Sequence, residues 1–201
     1  MEYVAHLQKD KKLAPAINQP YHALTLRKNI PLHLMASIMS QQLNTKVADI
    51  IYNRFLAIFN NEEPTPEQVL ATPIETLRAI GLSNAKVGYV HNVAHYCIEN
   101  AITDTKLLAL TDAEIIALLT KIKGVGQWTV EMLLMFTLGR EDIFAVDDLG
   151  LQNAVVKLYG IRTKDKKKLK ERLAKISNKW SPYRTYACLH LWRWKDNTPV
   201  A

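Results

Sequence analysis

Helix punctuation recurs along this chain so densely that it leaves little room for strands. Thr65-Pro66-Glu67-Gln68, Thr72-Pro73-Ile74-Glu75 and Thr111-Asp112-Ala113-Glu114 each match the capping box. In that motif a hydroxyl side chain and an acid or amide three residues on satisfy each other's free backbone N–H groups. In the first two, proline falls at the first helical position, where its missing N–H costs nothing. Gly81 and Gly139 read as helix stops, because glycine takes the left-handed conformation readily. Between these signals the apolar spacing is helical: Val87, Val90, Val93, Ala94 and Ile98 repeat at threes and fours, and Leu34, Ile38 and Met39 form another stripe. No alternating strand and no hairpin signal is found. The spacing predicts helices over 31–41, 44–60, 66–71, 74–80, 84–101, 112–120, 127–138, 149–158, 165–178 and 183–195, with 14–20 extended. The fold class expected is all-α, built as two helical lobes packed as one unit.

Composition narrows the function classes. The chain has 201 residues, 48% of them hydrophobic and 22% charged, a globular rather than a disordered balance. No apolar run approaches the ~20 residues of a membrane helix, and MEYVAHLQKD has no signal-peptide core, so an intracellular protein without a membrane partner is expected. Cys97 and Cys188 sit singly in apolar helical patterns and read as reduced core residues. Two cysteines cannot supply four iron–sulfur ligands, and no CxxC suggests zinc. His91 and His95 lie four apart on one helix without an evident third ligand. The net charge of +7 favours a polyanionic partner. Nine Lys or Arg residues crowd 162–179, either tracking such a partner or coating a solvated helix face.

The stretch KGVGQWTVEM, 123 to 132, places two glycines ahead of an apolar helical run. A phosphate-binding P-loop needs GxxxxGK[ST], and a dinucleotide fold needs GxGxxG after a strand. Here there is no lysine–serine pair and no third glycine, and a capped helix precedes the turn. What remains is helix, short turn, helix. Such a turn either grips one DNA phosphate through free backbone N–H groups or is a plain helix–helix connection.

The residues downstream decide between these. GVGQWTVEMLLMFTLGREDIFAVDD resembles the helix-hairpin-helix, glycine-proline-aspartate (HhH-GPD) superfamily of DNA glycosylases: a hairpin IKGVG, a helix, an apolar loop DIFAV, and an aspartate entering a new helix. SIMSQQL (37–43), LRAIGLSNAKVGYVHNVA (77–94) and WSPYRTYACLHLW (180–192) are similar, in that order, to blocks of its alkylation-repair branch, the DNA-3-methyladenine glycosylase II type. The resemblance covers roughly residues 30 to 194. It implies an active-site cleft between the two lobes, one formed mainly by 31–140 with the hairpin 121–126, the other by 1–30 and 149–195. It also implies duplex DNA carrying damaged bases as the partner and a monomer as the working form.

In such enzymes a damaged nucleotide is flipped out of the duplex before its glycosidic bond is cut. Positive charge develops on the sugar, and a nearby carboxylate stabilises it. Asp147 and Asp148 compete for this role, and the apolar approach IFAV implies that at least one faces a protected place. Matching the branch assigns catalysis to Asp148 and leaves Asp147 as the expected helix cap. Bifunctional members carry a Schiff-base lysine where this chain has Trp128, and indole offers no amine nucleophile. A monofunctional enzyme is therefore expected. Trp128 and Trp192 match pocket tryptophans, whose faces attract a cationic base. Tyr183, Tyr186 and Trp194 read as packing residues. Gln41 is implied to reach the pocket, and Gln42 or Leu43 to fill the gap in the stack, although the bacterial enzyme resembled carries an apolar wedge where this chain has Gln42. Lys121, Lys123, Gly124 and Gly126 are implied to meet the DNA backbone. Main-chain carbonyls of Thr120, Ile122 and Val125 are implied as a site for Na⁺ or K⁺. No other cofactor, and no iron–sulfur cluster, is implied.

Two other readings stay open on the sequence. A non-catalytic helix-hairpin-helix DNA-binding module needs only the hairpin and lysines and gives no reason for a protected aspartate. A glycosylase for oxidised or deaminated bases is weakened by the absence of a lysine at 128 and of clustered cysteines. The chain is shorter than the bacterial enzyme resembled, so that enzyme's extra N-terminal β-containing domain is not expected here. The implied compartment is the cytoplasm of a bacterium or the nucleus of a eukaryote.

Overall fold

The computed structural model describes residues 1–197, and every regular element among them is helical. In chain order the α-helices are α1 (Glu2–Leu7), α2 (Ile30–Ser40), α3 (Thr45–Ala57), α4 (Pro66–Ala71), α5 (Ile74–Ala79) and α6 (Asn84–Glu99). There follow α7 (Asp104–Leu108), α8 (Asp112–Leu119), α9 (Gln127–Phe136), α10 (Leu149–Tyr159), α11 (Lys166–Ser177) and α12 (Arg184–Asn197). The all-α expectation holds. No helix among the described residues is long and apolar enough to cross a membrane. The chain divides into two compact units: a central one, Leu26–Leu138, and one in which Met1–Thr25 joins the chain from Gly139 onward.

The central unit is arranged around α2. Seven of its eleven residues are buried, among them Leu32, Leu34, Met35, Ile38 and Met39, and a helix apolar on most sides must be covered on most sides. α3, α6 and α9 cover it, with Val87, Val90 and Val93 of α6 and Val130, Leu133 and Leu134 of α9 buried. The capping boxes at Thr65 and Thr111 both form. The third does not. The Thr72 hydroxyl turns back and donates to the Gln68 carbonyl at 2.9 Å, so it closes α4, and α5 starts at Ile74 with Pro73 in the cap position and no side-chain cap. α7 was missed because five residues are too few to show a period. It matters nonetheless: the Asp104 carboxylate accepts the N–H groups of Asn29 at 2.7 Å and Ile30 at 2.8 Å, capping α2 from seventy-odd residues away.

In the other unit α12 packs on α10, and Leu151, Ala154 and Val155 of α10 and Ala187, Cys188 and Leu191 of α12 are buried. Tyr3 of α1 stacks on Tyr186, ring centroids 4.0 Å apart. Trp180 is fully buried, edge-on to Phe144 at 5.5 Å. Its indole N–H and the Tyr159 hydroxyl both donate to Asp10, at 3.3 and 2.5 Å. The expected extended start is corrected: Ala14–Ala16 forms a 3-10 turn, with Pro15 in a position its fixed φ suits. Gly81 and Gly139 take the left-handed conformation expected of helix stops (φ +110° and +66°), and Gly160 does the same after α10 (φ +63°).

Candidate active site

The glycine turn connects α8 to α9 and is held from below. Ile122 and Val125 are buried, and the Val125 N–H donates to the Ile122 carbonyl at 3.0 Å, closing the turn. Gly124 has φ +102°, and a Cβ there would lie 2.3 Å from the Tyr89 ring. Only glycine fits both demands. Gly126 differs: its backbone (φ −90°, ψ 167°) suits any residue, and a Cβ would meet nothing within 4 Å. It stands at the cap position of α9 with no side-chain cap, so the first N–H groups of α9 start behind a bare backbone. Lys121 and Lys123 are exposed on this turn, and Asn92 donates to the Lys123 carbonyl at 3.0 Å. Thr120 ends α8. The main-chain oxygens of Thr120, Ile122 and Val125 are neutral, and the Ile122 carbonyl keeps a second lone pair beyond its bond to Val125. Neutral oxygens of this kind suit a monovalent cation.

The end of α2 is brought to the start of α9. Gln41 terminates α2, and its side-chain amide donates to the hydroxyl of buried Thr129 at 3.2 Å. Thr129 follows Trp128, whose side chain is 39% exposed in the first turn of α9. Gln42 is left-handed (φ +60°), a conformation that costs a non-glycine residue roughly 1–2 kcal/mol, and it is exposed while Leu43 is half-buried. The contact that fixes this turn escaped the sequence reading. Lys86 of α6 donates from Nζ to the carbonyls of Met39 at 2.9 Å and Gln41 at 2.7 Å. A cation there completes the last carbonyls of α2 and meets the negative end of its dipole. Burial holds the Lys86 ammonium below the usual lysine range. Lys86 falls inside the block 77–94, but no spacing rule links it to residue 41.

In the other unit the loop from Gly139 to Asp148 is tied to the first turn of α12. The Thr185 hydroxyl donates to the Arg140 carbonyl at 2.6 Å and accepts the Ile143 N–H at 3.0 Å. Arg184 grips Asp142 with two guanidinium N–H groups at 2.7 and 3.0 Å. Burial works to raise the Asp142 carboxyl, but the bonds from Arg184 and Ser181 outweigh it and leave it below the usual range. The loop delivers Asp148 to the start of α10. Here the structure corrects the sequence reading. Asp148, not Asp147, is the cap: its Oδ1 accepts the Leu151 N–H at 2.8 Å. Asp147 is exposed and pairs with Lys170 of α11. The reason is register. The helix begins at Leu149, so the residue immediately before it holds the cap position, and its neighbour points elsewhere.

Asp148 has a second donor. The indole N–H of half-buried Trp192 on α12 reaches the same Oδ1 at 3.1 Å. Gly150 makes this fit possible, since a Cβ there would stand 3.0 Å from that oxygen and 3.4 Å from the indole ring. The structure thus joins Asp148 to Trp192 in one unit, and Gln41 to the α9 start beside Trp128 in the other. Of the packing residues expected on α12, Tyr186 is buried, Tyr183 and Trp194 half-buried. Cys97 and Cys188 are buried and form no disulfide with each other, and burial pushes the Cys97 thiol up to about 12. His95 faces Glu99 at 3.1 Å, and among the described residues no His, Cys, Asp and Glu gather into a metal-holding group.

Comparison with known proteins adds four findings. Residues 35–179 match the model of the family described as HhH-GPD superfamily base excision DNA repair protein. The chain is 39% identical over 162 residues, 80% of its own length and 70% of the relative's, to DNA-3-methyladenine glycosylase 1 of Schizosaccharomyces pombe. Among solved structures, it superposes with TM-score 0.86 and 32% identity over the whole of both chains on the S. pombe 3-methyladenine DNA glycosylase Mag1 in complex with abasic DNA. A DNA-3-methyladenine glycosidase from Bacillus halodurans gives TM-score 0.78 and 36% identity, covering 96% of this chain and 88% of that one.

Proposed function

The chain belongs to the HhH-GPD superfamily of base excision DNA repair proteins, and from that premise we propose that it is a monofunctional DNA glycosylase that releases alkylated purines such as 3-methyladenine from duplex DNA. The observation that carries the reading is the carboxylate of Asp148, held by two donors just beyond an apolar loop. The kinship to proteins named 3-methyladenine glycosylases supports the substrate class.

The chemistry follows from the residues. The damaged nucleotide leaves the stack, because its glycosidic bond is out of reach inside it. An N3- or N7-alkylated purine carries positive charge and departs as a neutral base, so little general acid is needed. As the bond to the base lengthens, positive charge grows on the sugar, and the Asp148 carboxylate stabilises it and orients the attacking water. Two N–H donors fix that carboxylate beforehand, so no reorganisation is needed as charge develops. The aromatic faces of Trp128 and of Trp192 suit a flat, cationic base, and the Gln41 amide offers that base hydrogen bonds. Gln42 or Leu43 fills the gap in the duplex. The hairpin holds the backbone through Lys121, Lys123 and the N–H groups around Gly124 and Gly126, with Na⁺ or K⁺ on the carbonyls of Thr120, Ile122 and Val125. Trp128 has no amine with which to form a Schiff base, so the abasic site is left uncut. The enzyme acts as a monomer where DNA resides, in bacterial cytoplasm or a eukaryotic nucleus.

The test is to incubate the protein with methylated duplex DNA and measure released base and alkali-labile sites, with Asp148→Asn in parallel. Asparagine is as good a helix cap as aspartate, so this variant removes the charge and keeps the fold. Release lost in Asp148→Asn, with DNA binding kept, is the expected result. Binding without release from the unaltered protein would sink the enzymatic reading and favour a non-catalytic DNA-binding module.

A further inference from the structure

The basic run at 162–179 does not act as one surface. Lys170 turns to Asp147, whereas Arg172, Lys175 and Lys179 line a cavity of about 450 Å³ at the far end of α10. Arg172 and Lys175 lie three apart on α11 and so share a face, and Lys179 follows in the 3-10 turn Asn178–Trp180. Lys11 and Lys12, from the turn after α1, complete the ring of cations around Tyr159. A smaller cavity of about 290 Å³ adjoins it, sharing Asp10, Lys11 and Lys179 and adding Lys9.

Five cations line the larger cavity and one carboxylate does, that of Asp10. That carboxylate is committed inward. It accepts from the Tyr159 hydroxyl at 2.5 Å, the Trp180 indole at 3.3 Å, and the backbone N–H groups of Lys12 and Leu13 at 3.0 and 3.4 Å. Lys12 is steadied by the Tyr159 carbonyl at 3.2 Å and lies 5.6 Å from the centre of the Tyr159 ring. None of the five cations forms an ion pair among the described residues. Like charges converging from two chain segments repel one another, and a compact anion of high charge relieves that repulsion.

We propose that this cavity and its neighbour form a site for linked phosphate groups, distinct from Asp148. α10 has eleven residues, which at 1.5 Å each separate its two ends by roughly 16 Å. Two adjoining chambers sharing Lys11 and Lys179 suit successive phosphates better than one isolated ion. Such phosphates come either from a nucleic-acid strand or from a free polyphosphate compound.

The experiment uses inorganic tripolyphosphate in isothermal titration and an undamaged duplex in fluorescence anisotropy across a salt series. The proteins are the full chain, the double variant Arg172→Gln/Lys175→Gln, and a charge-matched control, Lys166→Gln/Lys167→Gln, on the same helix outside the cavity. Circular dichroism melts verify that each folds. The expected result is saturable tripolyphosphate binding that falls at least tenfold in the cavity variant and less than twofold in the control. If duplex affinity falls with it, and the salt slope drops by about 0.9 for each phosphate no longer neutralised, the source is a nucleic-acid strand. If duplex affinity holds, the source is a free polyphosphate. No saturable binding by the unaltered chain, or equal losses in cavity variant and control, would overturn the proposal. Since neither assay involves base release, the outcome stands apart from the glycosylase reading.

Discussion

Asp148 carries two loads on one oxygen: it caps α10 and receives the Trp192 indole. Truncation and neutralisation therefore separate cleanly. Asp148→Ala is expected to lose base release and also about 1 kcal/mol of stability, visible as a lowered melting temperature, whereas Asp148→Asn loses release alone. Trp192→Phe keeps an aromatic face but deletes the indole N–H. A hydrogen bond to a charged group contributes about 1.5–3 kcal/mol. Single-turnover base release is thus expected to slow by roughly tenfold or more, with duplex affinity kept, and an unchanged rate would remove Trp192 from the positioning of Asp148. Asp147→Asn should change release little, because its partner Lys170 is a half-exposed surface cation and such pairs contribute at most ~1 kcal/mol. The choice of Asp148 over Asp147 came from likeness to a family. The division of labour between them depends on where the helix begins, which a sequence places only to within a few residues.

At the scale of elements, two helix ends are completed by residues remote in sequence. The C-terminus of α2 is closed by Lys86, and its N-terminus by Asp104. Lys86→Met keeps the apolar stem and removes both donors, so the turn carrying Gln41 and left-handed Gln42 loses its anchor. The expected outcome is weaker base release with modest loss of stability, restored in part by Lys86→Arg; equal melting temperature and equal release in Lys86→Met would show that the turn holds itself. Asp104→Ala strips two backbone N–H groups of their acceptor and should cost about 1–2 kcal/mol, measured by denaturant titration. Neither contact was legible beforehand. Capping rules read three or four residues ahead, and these partners are 45 to 75 residues away in the chain. The local rules succeeded where both halves of the motif were adjacent, at Thr65 and Thr111, and failed at Thr72, whose hydroxyl had a helix on each side to choose from.

For the whole molecule, the measurable quantities are stability against pH and binding against salt. His190 is fully buried, edge-on to the Tyr21 ring at 5.1 Å, and burial pushes it down to about 4, with Arg193 adding to the effect and the Ala16 backbone opposing it. Unfolding restores an ordinary histidine near 6.5. The unfolded chain therefore takes up a proton that the folded one refuses, and stability falls as pH drops from about 6.5 toward 4, by on the order of 3 kcal/mol. A His190→Gln variant should show a flatter melting profile over that window, and an unaltered pH profile would show that His190 is not responsible for the slope. Duplex binding should weaken with salt by about 0.9 in log affinity per log salt for each phosphate neutralised. What the sequence determined by itself was local: the helical class, most helix positions, the two left-handed stops, and the glycine turn between two helices, the downstream aspartate having come from the resemblance. Those features are written in spacings of three to seven residues and in the conformational limits of glycine and proline. The tertiary structure alone decided which aspartate caps α10, that Trp192 points its N–H at Asp148, that Gly124 must clear Tyr89, and that lysines from two ends of the chain converge on one cavity. Those facts depend on how helices pack, and packing joins residues whose separation along the chain carries no signal.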